Sequence, residues 1–230
     1  MHTIYLAGDF TAAIKLASKR PETGWGEYFQ EFIDPQEFNI DNRAMNGRST
    51  KSFINEGRLS AIDQVIKPND YLFIQFGHND QKITDSERGT QPFGDYQTNL
   101  KKFITVAKDH QATPVLLTSL TRRKYLPDQS AIDPQAIGEY PLAMQQVAAD
   151  CQVILLDINQ ISRDYFNHLT PEKTRQYFMN FDANQYANYP QGSTDNTHLR
   201  PAGAKLVAGM VAQAVCKSSL PLKSSIIKNK

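Results

Sequence analysis

The chain has 230 residues, of which 40% are hydrophobic and 21% are charged. This length and hydrophobic content are enough to bury one sizeable core, and the composition is unlike that of disordered, collagenous or repeat proteins. Its formal net charge of +1 argues against a broad basic surface for nucleic acid, and it has no run of about 18 apolar residues that could span a bilayer. Cys151 and Cys216 lie far apart, each beside or inside an apolar segment, so we expect buried free thiols in a reducing compartment rather than a disulfide framework or a metal site.

Short apolar runs rich in β-branched and aromatic residues predict β-strands. They cover residues 3–7, 38–41, 71–76, 114–118 and 153–156. Segments with apolar residues at helical spacing lie between these runs and after the last of them. The first two of these segments contain Trp25, Phe29, Phe32 and Ile33, and then Leu59, Ile62, Val65 and Ile66. The later predicted helices cover residues 96–107, 140–149, 158–167 and 201–215.

Strands that alternate with helices predict an α/β fold, because parallel strands need crossover connections. We therefore predict a three-layer α/β/α sandwich around a flavodoxin-like, five-stranded parallel sheet. A single domain is expected over residues 1–218, followed by a polar tail, residues 219–230, that should fray. Residues 165–194 carry many aromatic and few aliphatic side chains, so we expect them to run over the surface, where the aromatics either line a groove or simply pack.

Polar segments follow the predicted strands, and in open α/β sheets ligands bind beyond the carboxyl ends of the strands. These segments are GDFT at residues 8–11, NGRST at 46–50, GHND at 77–80 and DNTH at 195–198. The last of them lies just before the final predicted helix.

Each of these segments has two interpretations when it is taken alone. Asp195 and His198 are three residues apart, so the carboxylate can orient the imidazole of a hydrolase base, or the aspartate can cap the next helix beside a surface histidine. Asn79 is either an oxyanion donor or a turn residue. Gly47 either lets a backbone N–H approach a reacting oxygen or only forms a turn. His78 is more simply a turn histidine than a substrate contact.

Taken together and in this order, the segments resemble the SGNH (GDSL-like) hydrolase family. More narrowly, IYLAGD, TGWGEYF, NRAMNGRSTKSFINEGR, DYLFIQFGHND and STDNTHLRPAGA resemble its rhamnogalacturonan acetylesterase branch. The resemblance extends over nearly the whole chain. It implies a carboxylic ester hydrolase that removes acetyl groups from rhamnogalacturonan-type or related oligosaccharides.

The resemblance also implies roles for individual residues. Asp195 and His198 correspond to the acid–base pair, in which His198 would take a proton from the nucleophile and Asp195 would orient the ring. The oxyanion would be held by the backbone N–H groups of Phe10 and Gly47 and by the side-chain amide of Asn79. Where the family has the serine nucleophile of its Gly-Asp-Ser motif, however, this chain has Phe10.

A phenylalanine cannot attack an acyl carbon, and its ring fills the volume of the missing hydroxyl. Losing a triad nucleophile typically costs about a millionfold in turnover, so we expect the chain to be nearly inert. Three explanations are open: a natural substitution in a catalytically dead relative, an introduced change, or replacement of the serine by another hydroxyl. The third explanation is the least favoured, because a neighbouring side chain at a turn points elsewhere. The candidate hydroxyls for it are those of Thr11, Ser49 and Ser193.

The implied partner is an acetylated oligosaccharide or another small acyl ester, with no nucleic acid, no membrane, no cofactor and no metal. A binding protein that holds acetylated sugar without cleaving it is the main alternative. A flavin or nucleotide site is disfavoured because the chain lacks a glycine-rich phosphate turn. The first predicted strand begins at Thr3 or Ile4, so we expect a cytoplasmic location unless a signal peptide has been removed.

Overall fold

The computed structural model describes residues 1–227, which contain a five-stranded parallel sheet with the strand order β2-β1-β3-β4-β5. This order is that of flavodoxin-like sheets, so the predicted α/β/α sandwich is confirmed. The strands are β1 His2–Gly8, β2 Phe38–Asn42, β3 Tyr71–Gln75, β4 Thr113–Leu117 and β5 Ile154–Leu156.

Strand β1 is an interior strand of the sheet, paired with β2 on one side and β3 on the other, and its side chains alternate between two cores. Ile4 and Leu6 belong to one core, whereas Tyr5 and Ala7 belong to the other. Because both faces of the sheet are buried, the strands other than the edge strand β2 are nearly continuous apolar runs rather than alternating ones. That is why they could be predicted.

Helices cover both faces of the sheet. Helices α1 to α4 pack on the core that contains Tyr5, and α5 and α7 pack on the core that contains Ile4. The helices are α1 Thr50–Asn55, α2 Arg58–Asp63, α3 Gln97–Asp109, α4 Tyr140–Asp150, α5 Ile158–Asn167, α6 Pro171–Thr174 and α7 Pro201–Lys217.

The helix predicted through Trp25 and Ile33 is not formed; two short 3₁₀ segments, Trp25–Glu27 and Phe29–Phe32, take its place. The Trp25 backbone N–H donates to the Thr11 carbonyl at 2.8 Å, which ties this segment to the turn after β1. Trp25 and Phe29 are still buried, and Phe32 is half-buried. In the next predicted helix, α2 ends at Asp63, and Val65 beyond it is 46% exposed rather than buried.

Much of residues 165–194 lies at the surface, as we predicted, but the segment also contributes to the core. It contains β6, Phe178–Phe181, and the start of β7, Ser193–Leu199. These two strands pair in antiparallel fashion, and all four residues of β6 are buried. The connection between these strands lies against the loop after β1. The Asn188 side-chain amide donates to the carbonyls of Ala17 and Arg20, both at 2.9 Å, and the Tyr189 hydroxyl donates to the carbonyl of Lys19 at 3.2 Å.

The C-terminal tail also differs from the prediction. Leu220 and Leu222 are 2% and 1% exposed, so residues 219–227 close the core instead of fraying, while residues 228–230 lie outside the described part of the chain. The Asp34 and Ile227 backbone N–H groups donate to the carbonyls of Ser225 and Phe32, each at 2.9 Å.

Neither cysteine is the buried thiol that we predicted. Both are free in the described residues, but Cys151 is half-buried and Cys216 is exposed.

Candidate active site

A cavity of about 450 Å³ lies at the carboxyl ends of β1 and β3. Its walls come from the turn after β1, the loop after β2, the loop after β3 and strand β7, so segments distant in the chain meet there. The predicted site residues all lie in these walls: Phe10, Gly47, Asn79, Asp195 and His198.

The Asp195 and His198 pair lies in a bulge of β7. Phe178 pairs with Leu199 and Asn180 pairs with Thr194, so the four residues 195–198 stand opposite a single residue of β6. Inside this bulge the His198 Nδ1 atom is 2.6 Å from Asp195 Oδ2. The helix-cap alternative does not apply, because the N-cap residue of α7 is Arg200.

Asp195 is held as an anion by this arrangement. Its Oδ1 atom accepts backbone N–H bonds from Thr197 at 2.7 Å and from His198 at 3.1 Å. Burial on its own raises the pKa of Asp195, but the His198 imidazole and these two donors outweigh it and lower the pKa to about 2. An ionised Asp195 accepts a hydrogen bond from Nδ1, which leaves the lone pair of His198 on Nε2.

Phe10 occupies the centre of the site and is 7% exposed. Its ring centroid lies 4.2 Å from that of His198 and 5.1 Å from that of His78. The backbone around it is fixed, since the Thr11 N–H donates to Asp9 Oδ1 at 2.9 Å. The residue that faces the imidazole is therefore an aromatic ring with no nucleophilic atom.

The three alternative hydroxyls have other contacts. Thr11 Oγ1 lies 2.8 Å from Asp9 Oδ1 and 3.0 Å from Gln75 Oε1. Ser49 is fully buried and caps α1, and Ser193 Oγ accepts the Asp195 N–H at 3.3 Å. Within the described residues, the cavity walls contain none of the three.

The predicted oxyanion donors lie in neighbouring loops. Gly47 has φ +77°, the left-handed conformation that favours glycine, although a Cβ there would meet no crowding closer than 4.0 Å. Asn79 is 1% exposed, and its side-chain amide donates to the Arg48 carbonyl at 3.0 Å. This bond joins the loop after β3 to the loop after β2. Both remain candidate donors to an oxygen in the cavity.

His78 is more than a turn residue, because it is 1% exposed and lies in the cavity wall. Its Nδ1 atom is 3.4 Å from Asp9 Oδ2. Burial on its own raises the pKa of Asp9, but the neighbouring imidazole and the Thr11 donors outweigh it and hold the pKa below its ordinary value. A second carboxylate–imidazole pair therefore lies beneath Phe10.

Lys15 is a buried cation that connects several parts of the site. Its Nζ atom donates to the Phe10 carbonyl and to Asn46 Oδ1, both at 2.6 Å, and lies 2.8 Å from Glu22 Oε1. Burial lowers the pKa of Lys15, and the Glu22 carboxylate opposes that shift. One ammonium group thus joins the turn at Phe10 to the loop that carries Gly47.

Lys15 was not among the predicted site residues, although the sequence contained a sign of its burial. Lys15 lies between Ile14 and Leu16, yet Ile14 is 61% and Leu16 is 72% exposed while the lysine is buried. A single lysine inside an apolar run was the available sign.

Replacing Lys15 by methionine is expected to lower the free energy of unfolding by about 3 kcal/mol, because removing one partner of a buried charge pair leaves the other without compensation. Urea unfolding measures the effect. Lys19→Met is the matched control, since Lys19 is exposed, and it should change stability by less than about 0.5 kcal/mol. Equal losses in both variants would contradict the structural role of Lys15.

Asp80, the last residue of GHND, lies in a buried polar cluster behind the cavity. Its Oδ1 atom accepts hydrogen bonds from the hydroxyls of Thr50 at 2.5 Å and Thr90 at 3.1 Å. Burial nevertheless raises the pKa of Asp80 to about 7. The folded protein therefore holds a proton on Asp80 that the unfolded chain releases at about pH 4.

Between about pH 4 and pH 7 the free energy of unfolding falls as the pH rises, because the folded state carries a proton on Asp80 that the unfolded chain has lost. We expect Asp80→Asn to reduce the fall in unfolding free energy across that window, since an amide mimics the protonated acid. Urea unfolding at several pH values tests this, with exposed Asp109→Asn as the control that keeps the full slope. An unchanged slope in Asp80→Asn would assign the pH dependence to other groups.

Among residues 1–227, no three His, Cys, Asp or Glu side chains are grouped so that they could hold a metal ion. Over the same residues, no helix combines the length and the apolar character needed to cross a membrane.

Comparison with known proteins identifies the family. The model of the GDSL-like lipase/acylhydrolase family matches residues 4–210. Rhamnogalacturonan acetylesterase RhgT of Bacillus subtilis strain 168 is 38% identical over 97% of this chain and 94% of that protein. The probable rhamnogalacturonan acetylesterase YesY of the same organism is 37% identical over 99% and 98%.

Solved structures agree. Protein YXIM of Bacillus subtilis superimposes with a TM-score of 0.81 and 25% identity over 96% of this chain, which spans 57% of that longer chain. A catalytic mutant of Axe2, an acetylxylan esterase from Geobacillus stearothermophilus, has a TM-score of 0.66 at 15% identity over 100% of this chain and 97% of that one, and shows the shared fold alone. The predicted family is confirmed: this chain belongs to the GDSL-like lipase/acylhydrolase family.

Proposed function

We propose that this chain is the scaffold of a carbohydrate O-acetylesterase that hydrolyses acetyl esters on rhamnogalacturonan-type or related oligosaccharides by a Ser-His-Asp mechanism. As written it is nearly inactive on sugar acetates, because Phe10 replaces the serine. Two relatives named as rhamnogalacturonan acetylesterases or probable ones, at 38% and 37% identity over nearly the whole chain, support the substrate class.

One observation carries the proposal: the imidazole of His198, oriented by Asp195, lies directly against the side chain at position 10. With serine there, His198 Nε2 would take the hydroxyl proton as the oxygen attacks the acetyl carbon, and Asp195 would stabilise the imidazolium. The same imidazole would then protonate the leaving sugar oxygen and activate water.

The charges of the cavity suit an acidic oligosaccharide. Lys19, Lys82 and Arg122 line it, whereas its acidic residues already have partners: Glu22 binds Lys15 and Asp195 binds His198. Arg122 is fixed by donating to Thr197 Oγ1 at 2.9 Å. Positive side chains in a concave site would attract the carboxylates of pectic sugars.

The second candidate function is a carbohydrate-binding protein that holds acetylated sugar without cleaving it. It is favoured by the cavity itself, which stays open at about 450 Å³ although Phe10 fills the nucleophile position. Calorimetric titration of the unmodified protein with acetylated and deacetylated oligosaccharides tests it. A clear preference for the acetylated ligand supports a binding role, and the absence of binding to both contradicts it.

The esterase proposal is tested by acetate release from two substrates with the Phe10→Ser protein. Acetylated rhamnogalacturonan oligosaccharides should be better substrates than acetylated xylo-oligosaccharides. A folded Phe10→Ser protein that released acetate from neither would overturn the proposed function, and a preference for xylan would overturn the substrate class.

A further inference from the structure

The Nε2 atom of His198 has no hydrogen-bond partner within residues 1–227, and the side chain is 33% exposed in the cavity wall. The charged atom beside it is Glu22 Oε1, and the distance of 3.9 Å between Nε2 and this oxygen is too long for a hydrogen bond. With Nδ1 bound to Asp195, the lone pair on Nε2 faces the cavity unused. In a serine enzyme this atom would be occupied by the nucleophile's hydroxyl.

We propose that this chain, with Phe10 in place, hydrolyses activated aryl acetates by using His198 Nε2 itself as the nucleophile. This activity goes beyond the proposed sugar acetylesterase and does not need a serine. Histidine is among the side chains that form covalent catalytic intermediates.

The first step forms an N-acetyl group on His198. The Nε2 lone pair bonds to the acetyl carbon, the carbonyl electrons move to the oxygen, and when they return the aryl–oxygen bond to that carbon breaks and the phenolate leaves. The resulting acetylimidazolium keeps its Nδ1 proton on the hydrogen bond to Asp195. The carboxylate stabilises the positive charge that the ring acquires.

The second step restores the free imidazole. Water adds to the acetyl carbon and gives up its protons to the solvent, and the carbon–nitrogen bond breaks with its electron pair returning to Nε2. Acetate leaves. One of the two protons neutralises the phenolate, so the net reaction is ester plus water to acetate, a proton and a phenol, and no other reactant is needed.

The leaving group decides which esters react. In the tetrahedral adduct a sugar alkoxide is a poorer leaving group than the imidazole, so the adduct of a sugar acetate expels the imidazole and returns to starting material. Sugar acetates are therefore still not hydrolysed while Phe10 stands in place of the serine. A phenolate with electron-withdrawing substituents, such as p-nitrophenolate, is a far better leaving group than a sugar alkoxide and competes with the imidazole, so the acetate of such a phenol goes forward. The ring of Phe10, 4.2 Å from the imidazole, also offers an aryl ester an apolar surface beside the nucleophile.

Hydrolysis of p-nitrophenyl acetate by the unmodified protein tests the proposal, with His198→Ala as the loss variant. His168→Ala is the matched control, because His168 Nδ1 lies 2.7 Å from the Asp164 carbonyl in an exposed helix end and is not in the cavity wall. We expect His198→Ala to lower the protein-dependent rate by about tenfold or more and His168→Ala to leave it unchanged. Equal rates in all three proteins would overturn the proposal.

Two measurements separate nucleophilic attack from simple activation of water. Acid quenching followed by peptide mass spectrometry should find one acetyl group on the peptide that contains His198, and the rate should be nearly the same in heavy water. A clear solvent isotope effect without acetylated His198 would overturn the covalent route. His198→Gln repeats the comparison if the alanine variant fails to fold.

The outcome is independent of the proposed function. All proteins in this comparison contain Phe10, so a negative result removes only the imidazole route. The sugar acetylesterase is judged separately, from the Phe10→Ser protein.

Discussion

Replacing Phe10 by serine is expected to raise the turnover of acetylated oligosaccharides by about a millionfold over the unmodified protein, because losing the nucleophile of a hydrolase triad typically costs that much. The acid–base pair already lies against position 10, and its geometry does not depend on the missing hydroxyl. Released acetate, measured at saturating substrate for both proteins, gives the comparison.

Phe10→Ala is the matched control, since it opens the same space without supplying a hydroxyl and should stay inactive on sugar acetates. Either change removes the ring contacts with His78 and His198, at about 1 kcal/mol for each aromatic pair. Thermal unfolding of both variants therefore has to accompany the assay. Comparable activity in the serine and alanine proteins would mean that residue 10 is not the nucleophile position.

Replacing His198 by alanine in the Phe10→Ser protein is expected to remove nearly all of the restored turnover, again by about a millionfold, because serine and histidine in such a unit act together. Asp195→Asn in the same background should cost about ten-thousandfold, because an amide favours the wrong imidazole tautomer. Steady-state kinetics should show these losses in kcat rather than in KM.

The same His198→Ala protein should keep most of its stability, since the side chain is 33% exposed and its hydrogen bond to Asp195 lies at the cavity rim. His168→Ala in the serine background serves as the control and should retain full activity. Undiminished turnover in the His198→Ala protein would exclude His198 from the mechanism.

The strands of the sheet could be predicted because the sequence pattern that identifies each of them lies within the strand itself. Buried parallel strands require apolar side chains on both faces, so each strand leaves a short apolar run bounded by polar turns. The segment around Trp25 could not be predicted, because its aromatic spacing fits a helix, whereas the structure forms two short 3₁₀ segments there and bonds the Trp25 N–H to the Thr11 carbonyl. The tail failed for a similar reason: Leu220 and Leu222 are few among polar residues, but the core has places for both.

The candidate site could be predicted in part. From the order of the polar segments after the strands we predicted that five residues lie close together. The structure places all five in the wall of one cavity: Phe10, Gly47, Asn79, Asp195 and His198. Their catalytic roles stay predictions.

Three features depend on contacts with other segments of the chain: the bulge that carries Asp195 on β6, the buried ammonium of Lys15 on Glu22 and Asn46, and the protonated Asp80 on its burial beside Thr50 and Thr90. No local pattern encodes those contacts.

The hydrogen bonds from Asn188 and Tyr189 to the carbonyls of residues 17–20 have a practical consequence for loop grafting. The acceptors are main-chain oxygens, so the side chains of residues 17–19 can be exchanged without removing an acceptor, whereas Arg20 also pairs with Glu27. The donors, by contrast, reach them only from a β6–β7 connection of this length. We therefore expect insertions or deletions in residues 182–192 to misalign the strand that bears the imidazole, and point changes in residues 17–19 to leave it in register.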